Sequence, residues 1–398
     1  MYKKTFDRRG PRKPSFNNRG RFSGTKNAGR SQYIDPSKFI NKAVITEETD
    51  HFVPEHKFAD FLIEESLKNA VIEKGYVLPT PIQDRAIPHA LKGSDVVGIA
   101  NTGTGKTAAF LIPLINKVLK NKDEKILVIV PTRELAVQIN SELKGFTKDM
   151  KIFSACCYGG APIGGQIRDL KYYNNFVIGT PGRLKDLINR NCINLRSFKT
   201  IVLDEADRML DMGFVNDIRE VVAVMPKDRQ SLFFSATLSP TIEKLIGEFL
   251  KDPVRISVKT RDTAKNVDQD VVRIKSGENK IDVLHKLLSQ PEFTKVLIFG
   301  KTKHGVEKLS KTLFSLGLKT ESIHGNKNQS KRQKALELFK GDHIQALIAT
   351  DVAARGLDIS DVSHVINFDI PATYDDYVHR IGRTGRGNKK GKALTFLE

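Results

Sequence analysis

Two tandem α/β domains, each a mainly parallel sheet flanked by helices, standing behind a disordered basic N-terminal tail: this is the fold class that the 398-residue sequence predicts. Three observations carry it. From about residue 96 a short apolar run, a polar or Gly-rich stop and a helical stretch recur in order. A Lys/Arg/Asp/Thr-rich break around 259–266 splits these repeats into two sets, and the positive charge is concentrated ahead of both.

The tail comes first. The whole chain holds 65 Lys+Arg against 46 Asp+Glu, a net +19, and residues 1–45 contribute 12 of those cations with only two acids, Asp7 and Asp35. Rich in Arg, Gly and Asn with isolated Phe6, Phe16 and Phe22, this segment cannot bury enough apolar surface to offset its ordering entropy. Arg suits phosphate and Phe suits base stacking, so a polyanion is the expected partner. Charge alone does not separate RNA from DNA or an acidic protein.

The remainder has real cores, with 39% hydrophobic residues and 22 Phe. No apolar stretch approaches the roughly eighteen residues of a membrane-spanning helix, and the N-terminus is too basic and polar for a signal peptide. Cys156, Cys157 and Cys192 are odd in number and two are adjacent, giving neither a disulfide framework nor a CxxC zinc pattern. A reducing, cytoplasmic setting is expected.

Ile63, Leu67, Ala70 and Val71 mark an amphipathic helix that ends near Gly75, with Pro79 and Pro81 beyond. Strands are expected over 96–100, 126–130, 152–157, 176–178, 201–203 and 232–234, and after the break over 296–299, 320–323, 346–349, 362–368 and 393–397. The organisation is a tail over 1–45, a leading region over 56–84, a first domain over 85–259, a linker over 260–266 and a second domain over 267–398. Ligands of open parallel sheets bind beyond the carboxyl ends of strands. In six places here a reactive-looking segment follows a strand directly, which argues for one continuous working surface.

The first is Ala100-Asn101-Thr102-Gly103-Thr104-Gly105-Lys106-Thr107, between a strand and a helix. Gly103 and Gly105 let backbone N–H groups close around phosphate oxygens at a helix N-terminus. Lys106 would reach the β- and γ-phosphates of a nucleotide, and the Thr107 hydroxyl would ligate Mg²⁺. The strict pattern wants Gly where this chain has Ala100. Farther on, the run 201–203 ends in Asp204-Glu205-Ala206-Asp207. Asp204 would hold the metal through water, and Glu205 would position and deprotonate the attacking water.

With these motifs the sequence resembles the DEAD-box ATP-dependent RNA helicases of superfamily two, from Phe58 to the end and in the family's order and spacing. The resemblance implies two RecA-like domains, ATP and Mg²⁺ as cofactors, and an RNA-stimulated ATPase that couples ATP binding and hydrolysis to RNA clamping and local duplex unwinding. Gly75 to Gln83 looks like the Q motif, so Gln83 would hydrogen-bond the adenine edge and Phe58 would stack on it. Thr102, Gly103, Thr104, Gly105, Lys106 and Thr107 would bind the phosphates, and Asp358 the ribose. Ser235 and Thr237, with Asp207 and His379, match the motifs that couple nucleotide to RNA; on its own the tripeptide Ser235-Ala236-Thr237 is uninformative.

Pro131, Thr132, Arg133, Gly160, Thr180 and Arg183 match RNA-facing positions of the first domain. Their hydroxyls, amides and one Arg per loop suit a sugar–phosphate backbone and offer little to read bases. In the second domain Thr302, Gln329, Arg332, Thr350 and Arg355 match RNA-facing positions. Arg383 and Arg386, at i and i+3 in a Gly-rich segment, can place two guanidinium groups on one side, and the resemblance makes them arginine fingers. Asn101 and Gly300 depart from the family's usual residues, and the sequence stops at Glu398, directly after the last expected strand and without a closing helix. A monomer without membrane association is expected; the protein partners and the physiological RNA are not legible.

Overall fold

In the computed structural model the described residues are Met1, 35–42, 52–101, 103–258, 267–354, Ile359, 362–385 and 391–397. Most of the tail, Thr102, the linker 260–266, Arg355, Asp358 and Arg386 lie outside them.

Helices α1 (Glu65–Glu73) and α2 (Pro81–Leu91) lead into the first sheet. Then follow β1 (Val96–Ile99), α3 (Lys106–Lys120), β2 (Ile126–Ile129), α4 (Arg133–Phe146), β3 (Ser154–Cys157) and α5 (Ile163–Lys171). The same alternation continues through β4 (Phe176–Gly179), α6 (Pro181–Asn189), β5 (Thr200–Leu203), α7 (Ala206–Asp211), α8 (Val215–Ala223), β6 (Gln230–Ser235), α9 (Pro240–Phe249) and β7 (Val254–Ser257). The sheet order is β3-β4-β2-β5-β6-β1-β7 and every pairing is parallel.

The second lobe comprises β8 (Val267–Arg273), α10 (Lys280–Leu288), β9 (Val296–Phe299), α11 (Lys303–Ser315), β10 (Thr320–Ile323), α12 (Gln329–Lys340), β11 (Ala346–Ala349), α13 (Asp351–Ala354), β12 (His364–Asn367), α14 (Tyr374–Ile381) and β13 (Gly391–Leu397). Its order is β10-β11-β9-β12-β13-β8, again parallel throughout.

Central strands such as β2, β4, β5 and β9 are buried along their whole length, as expected for a parallel sheet covered on both faces. Each sheet therefore carries one core on either face. In the first lobe Phe110, Ile112 and Phe234 fill one side, and Phe233, Leu245 and Met209 fill the other. Because all strands run one way, their carboxyl ends collect on one edge of each sheet, where the loops that bear the motifs begin.

Two strands, β7 and β8, were not expected. Both sit at sheet edges and are only partly buried, so neither reads as an apolar run.

Candidate active site and RNA-facing surface

The phosphate loop follows β1, whose chain is held to β6 by the Ala100 N–H donating to Ser235 O at 2.9 Å. Gly105 closes the loop at the start of α3 with φ 93°, and a Cβ there would lie 2.4 Å from the Gln83 amide nitrogen. Only glycine permits that approach. Gln83 uses it: its Nε2 donates to Gly105 O at 3.1 Å, while its Oε1 accepts from the Thr80 N–H at 2.9 Å. Gln83 is thus buried and bonded directly to the loop's backbone.

Lys106 is 6% exposed and its Nζ donates to Ala100 O at 2.8 Å. That bond folds the ammonium back over its own loop and satisfies a charge that would otherwise be buried alone. Arriving phosphate oxygens would replace the carbonyl. Thr107 is half-buried in the first turn of α3.

Asp204 stands at the end of β5, 3% exposed, and accepts from the Glu205 N–H at 2.9 Å. Burial pushes its carboxyl up to about 6, against the pull of the nearby Lys106. Glu205 sits in the left-handed region (φ 52°), and its carboxylate pairs with Arg208 Nη1 at 3.0 Å, both side chains being 5% exposed. Asp207 faces the other way. Its Oδ2 accepts from the N–H groups of Ala236 and Thr237, each at 3.0 Å, and from the Thr237 hydroxyl at 3.2 Å, while Ser235 Oγ donates to Thr237 O. The loop after β5 and the turn after β6 are therefore one hydrogen-bonded unit. Among the described residues no group of three or more His, Cys, Asp or Glu is placed to hold a metal ion. One carboxylate with a threonine hydroxyl is the donor set that suits Mg²⁺ completed by water and phosphate oxygens.

The Phe58 ring is 3% exposed and meets Phe61 (5.8 Å) and Tyr76 (5.6 Å) in edge-on contacts beside the Q-motif region.

The loops expected to face RNA in the first lobe brace one another. Thr132 caps α4, accepting from the Leu135 N–H, and Pro131 before it is buried. The Arg133 guanidinium lies over Gly160, where a Cβ would come within 2.2 Å of it, so the exposed Gly160 is a close-approach glycine. Arg183 donates to Gln166 Oε1 at 2.8 Å and to Ala161 O at 3.1 Å, and the Thr180 hydroxyl accepts from the Gly159 N–H at 3.4 Å.

In the second lobe Thr302 is exposed and caps α11 through the Gly305 N–H, and Thr350 is half-buried ahead of α13. Arg332 is 6% exposed and pairs with Glu134 of α4 at 2.8 Å. Gln329, one turn earlier, has both side-chain amide atoms buried without a hydrogen-bond partner.

Arg383 is 3% exposed, just beyond α14, and His379 is half-buried on that helix. Between them Arg380 makes a bidentate pair with Asp351 (2.5 and 2.7 Å) and donates to Asn367 Oδ1 and Asp369 O, which ties α14 to α13 and β12. Sequence reasoning passed over Arg380, although its place within the Arg-rich segment was a signal.

Two parallel-sheet lobes with a phosphate loop, strand-end carboxylates and cationic loops define a nucleotide-driven motor class. The family model described as DEAD/DEAH box helicase matches residues 80–245, and that described as Helicase conserved C-terminal domain matches 279–388. The ATP-dependent RNA helicase CshA of Limosilactobacillus reuteri is 46% identical over 343 residues, 86% of this chain and 69% of that protein. The chain spans between 64% and 69% of the length of such curated relatives. This chain belongs to the DEAD-box ATP-dependent RNA helicases, a family of RNA-stimulated ATPases that bind nucleotide.

Solved structures agree. A DEAD-box protein of Methanococcus jannaschii, 39% identical, covers 86% of this chain and 93% of its own with a TM-score of 0.50. Dbp5 of S. cerevisiae bound to RNA and ADP BeF3, only 30% identical, covers 86% and 89% with a TM-score of 0.75.

Proposed function

We propose that this chain hydrolyses ATP at the carboxyl edge of the first sheet, completes that site with Arg383 and Arg386 of the second lobe, and uses the cycle to clamp RNA and separate short duplexes locally. The observation that carries the reading is the hydrogen-bonded unit that the buried Asp207 makes with Ala236 and Thr237, beside Asp204 and Glu205. It makes the nucleotide-facing loop and the adjoining turn move together.

In this mechanism Gln83 orients the adenine while holding the phosphate loop through Gly105 O. Lys106 exchanges its bond to Ala100 O for the β- and γ-phosphate oxygens. Glu205 leaves Arg208, orients the attacking water and takes its proton. Thr107 and Asp204 would hold Mg²⁺, which supplies charge neutralisation between the phosphates when bound; burial of Asp204 makes a nearby cation favourable. Arg383 and Arg386 meet the charge that develops on the γ-phosphoryl group, in a reaction promoted by positioning and electrostatics.

Pro131, Thr132, Arg133, Gly160, Thr180, Arg183, Thr302, Thr350 and Arg355 meet the RNA backbone with little reading of bases, and Asp358 meets the ribose of ATP. One chain supplies both halves of the site, so the protein works as a monomer. The free thiols of Cys156 and Cys157 are pushed up to about 12 by burial, which suits unreactive cysteines in a reducing cytoplasm.

The experiment is strand displacement of a short RNA duplex measured beside ATPase activity. Wild-type protein should do both. Lys106→Ala should lose ATP binding, and Glu205→Gln should hold ATP and RNA while hydrolysis falls by about 10² or more. ATP turnover without any displacement would leave an RNA clamp, and near-normal turnover by Glu205→Gln would remove that residue from its role.

A further inference from the structure

Residues 35–42 precede the first lobe in the chain but pack on the second. Pro36–Phe39 forms a single 3₁₀ turn capped by Asp35, and Phe39 is 0% exposed while the adjacent Ile40 is 51% exposed. Its ring meets Tyr377 edge-on at 4.8 Å, inside a core shared with Val267, Ile381 and Ala353. Asn41 then pairs antiparallel with Gln269 on the edge strand β8, its N–H donating to Gln269 O at 3.0 Å and its carbonyl accepting at 2.7 Å. The Gln269 side chain closes the group by accepting from the Tyr377 hydroxyl at 2.9 Å, and Lys38 lies over the Tyr374 ring at 5.4 Å. Ring burial, a covered sheet edge and a hydrogen-bonded tyrosine all converge on one helix, α14.

We propose that residues 35–42 are an integral element of the second lobe that positions α14, the helix carrying His379 and Arg380 and leading into Arg383. The buried side of α14 that Tyr377 presents is filled by Phe39 from outside the lobe's own stretch of chain. Without it Tyr377 would border a void of phenyl size and the helix could shift, and a displacement of about 1 Å at a transition-state contact can cost 10²-fold in rate. The same segment continues into a second anchor. The N–H groups of Glu55 and His56 donate to the Asp84 carboxylate (2.9 and 3.1 Å), and His56 Nδ1 lies 2.8 Å from it, next to Gln83 on α2. Asn41 and Glu55 are fourteen residues apart, so covalent continuity keeps the two anchors within about 50 Å. The positioning segment is therefore also a second link between the lobes, besides the chain that joins β7 to β8.

The packing is independent of the roles proposed for Arg383 and Arg386, whereas its effect on hydrolysis rests on them. The test uses the full chain with Phe39→Ala, and with Asn41→Pro, which keeps the ring but removes the N–H given to Gln269. Ile40→Ala, at a side chain 51% exposed, is the control. Amide hydrogen exchange over Tyr374–Ile381 should quicken about tenfold in both variants and not in the control. The kcat of RNA-stimulated hydrolysis should fall about tenfold while KM for ATP stays within about twofold, with partial recovery in Phe39→Leu. Unchanged exchange in α14, or unchanged kcat despite faster exchange, overturns the proposal; should Phe39→Ala fail to fold, Asn41→Pro decides by the same readings. Failure of the reading of the two arginines shows separately, as normal kcat in Arg386→Ala.

Discussion

Glu134 and Arg332 join the two lobes through an ion pair 2.8 Å long, with side chains 5% and 7% exposed. Burial draws the guanidinium down from its usual range, Glu134 holds it up, and Arg133 beside them opposes. Such a dry pair favours the assembled cleft only while both partners are present, because removing one leaves a buried charge at about 3–5 kcal/mol. Arg332→Ala is expected to favour separated lobes. RNA-stimulated hydrolysis should fall at least about tenfold, with binding of an ATP analogue in the absence of RNA changed by less than about twofold. The exchange of Glu134→Arg with Arg332→Glu should recover part of the loss. Scattering in solution with RNA and the analogue reads the closure directly, and a closed profile for Arg332→Ala would show that the pair does not govern it.

A second expectation concerns acid. His364, at the start of β12, is 4% exposed and stacks on Phe293 with ring centres 4.0 Å apart. Burial pushes its imidazole down from 6.5 to about 4, Lys392 reinforces this and Glu292 opposes it. The unfolded chain therefore binds the extra proton first as pH falls. The stability that His364 contributes is complete above about 6.5 and is lost progressively toward 4, at a cost of roughly 3 kcal/mol or less. Urea unfolding of wild type and His364→Asn across that window should show a flatter acid limb in the variant. Parallel limbs would mean that another group carries the acid sensitivity.

The tail gives a third. Residues 1–34 hold ten Lys/Arg against one acid, Asp7, and a truncation there stops short of the docked Phe39. RNA binding by the shortened chain should weaken at low salt. The salt slope on a single strand should drop by about 0.7 for each phosphate that the tail no longer neutralises. Hydrolysis at saturating RNA should barely change. An unaltered slope would make the tail a solvating extension.

The parts legible in sequence are those whose signal is local. Fully buried parallel strands read as unbroken apolar runs, which exposed β2, β5 and β9, and strand-end loops placed Lys106, Asp204 and Thr237 on one edge. Edge strands gave no such run: Arg255 and Asp270 on β7 and β8 are exposed. Other features come from partners distant in sequence: the contact of Phe58 with Tyr76 and the pair of Arg332 with Glu134 have no local signal. Phe39 lies in a short segment with no helical or strand periodicity, and its burial rests on partners such as Tyr377, more than three hundred residues later.

The last prediction tests whether the two lobes build one active site. The first lobe supplies a phosphate loop, a buried Asp204 and a Glu205 held by Arg208, but its arginines near the site are engaged: Arg208 with Glu205, Arg183 with Gln166 and Ala161. Positive charge for the transition state is then expected from the second lobe, where Arg383 follows α14 and Arg386 follows three residues on. Arg380 is excluded from that task, since its guanidinium is committed to Asp351 and Asn367. An arginine finger is worth about 10³–10⁵ in rate, or roughly 4–7 kcal/mol of barrier. Arg386→Ala should therefore cut RNA-stimulated hydrolysis by at least about 10²-fold. Arg386→Lys should fail too, because a point charge does not reproduce the planar fork. Binding of an ATP analogue without RNA depends on Gln83 and Lys106 and should fall far less. Equal losses in binding and hydrolysis would make Arg386 a ground-state phosphate ligand, and no loss in either would place the whole of catalysis in the first lobe.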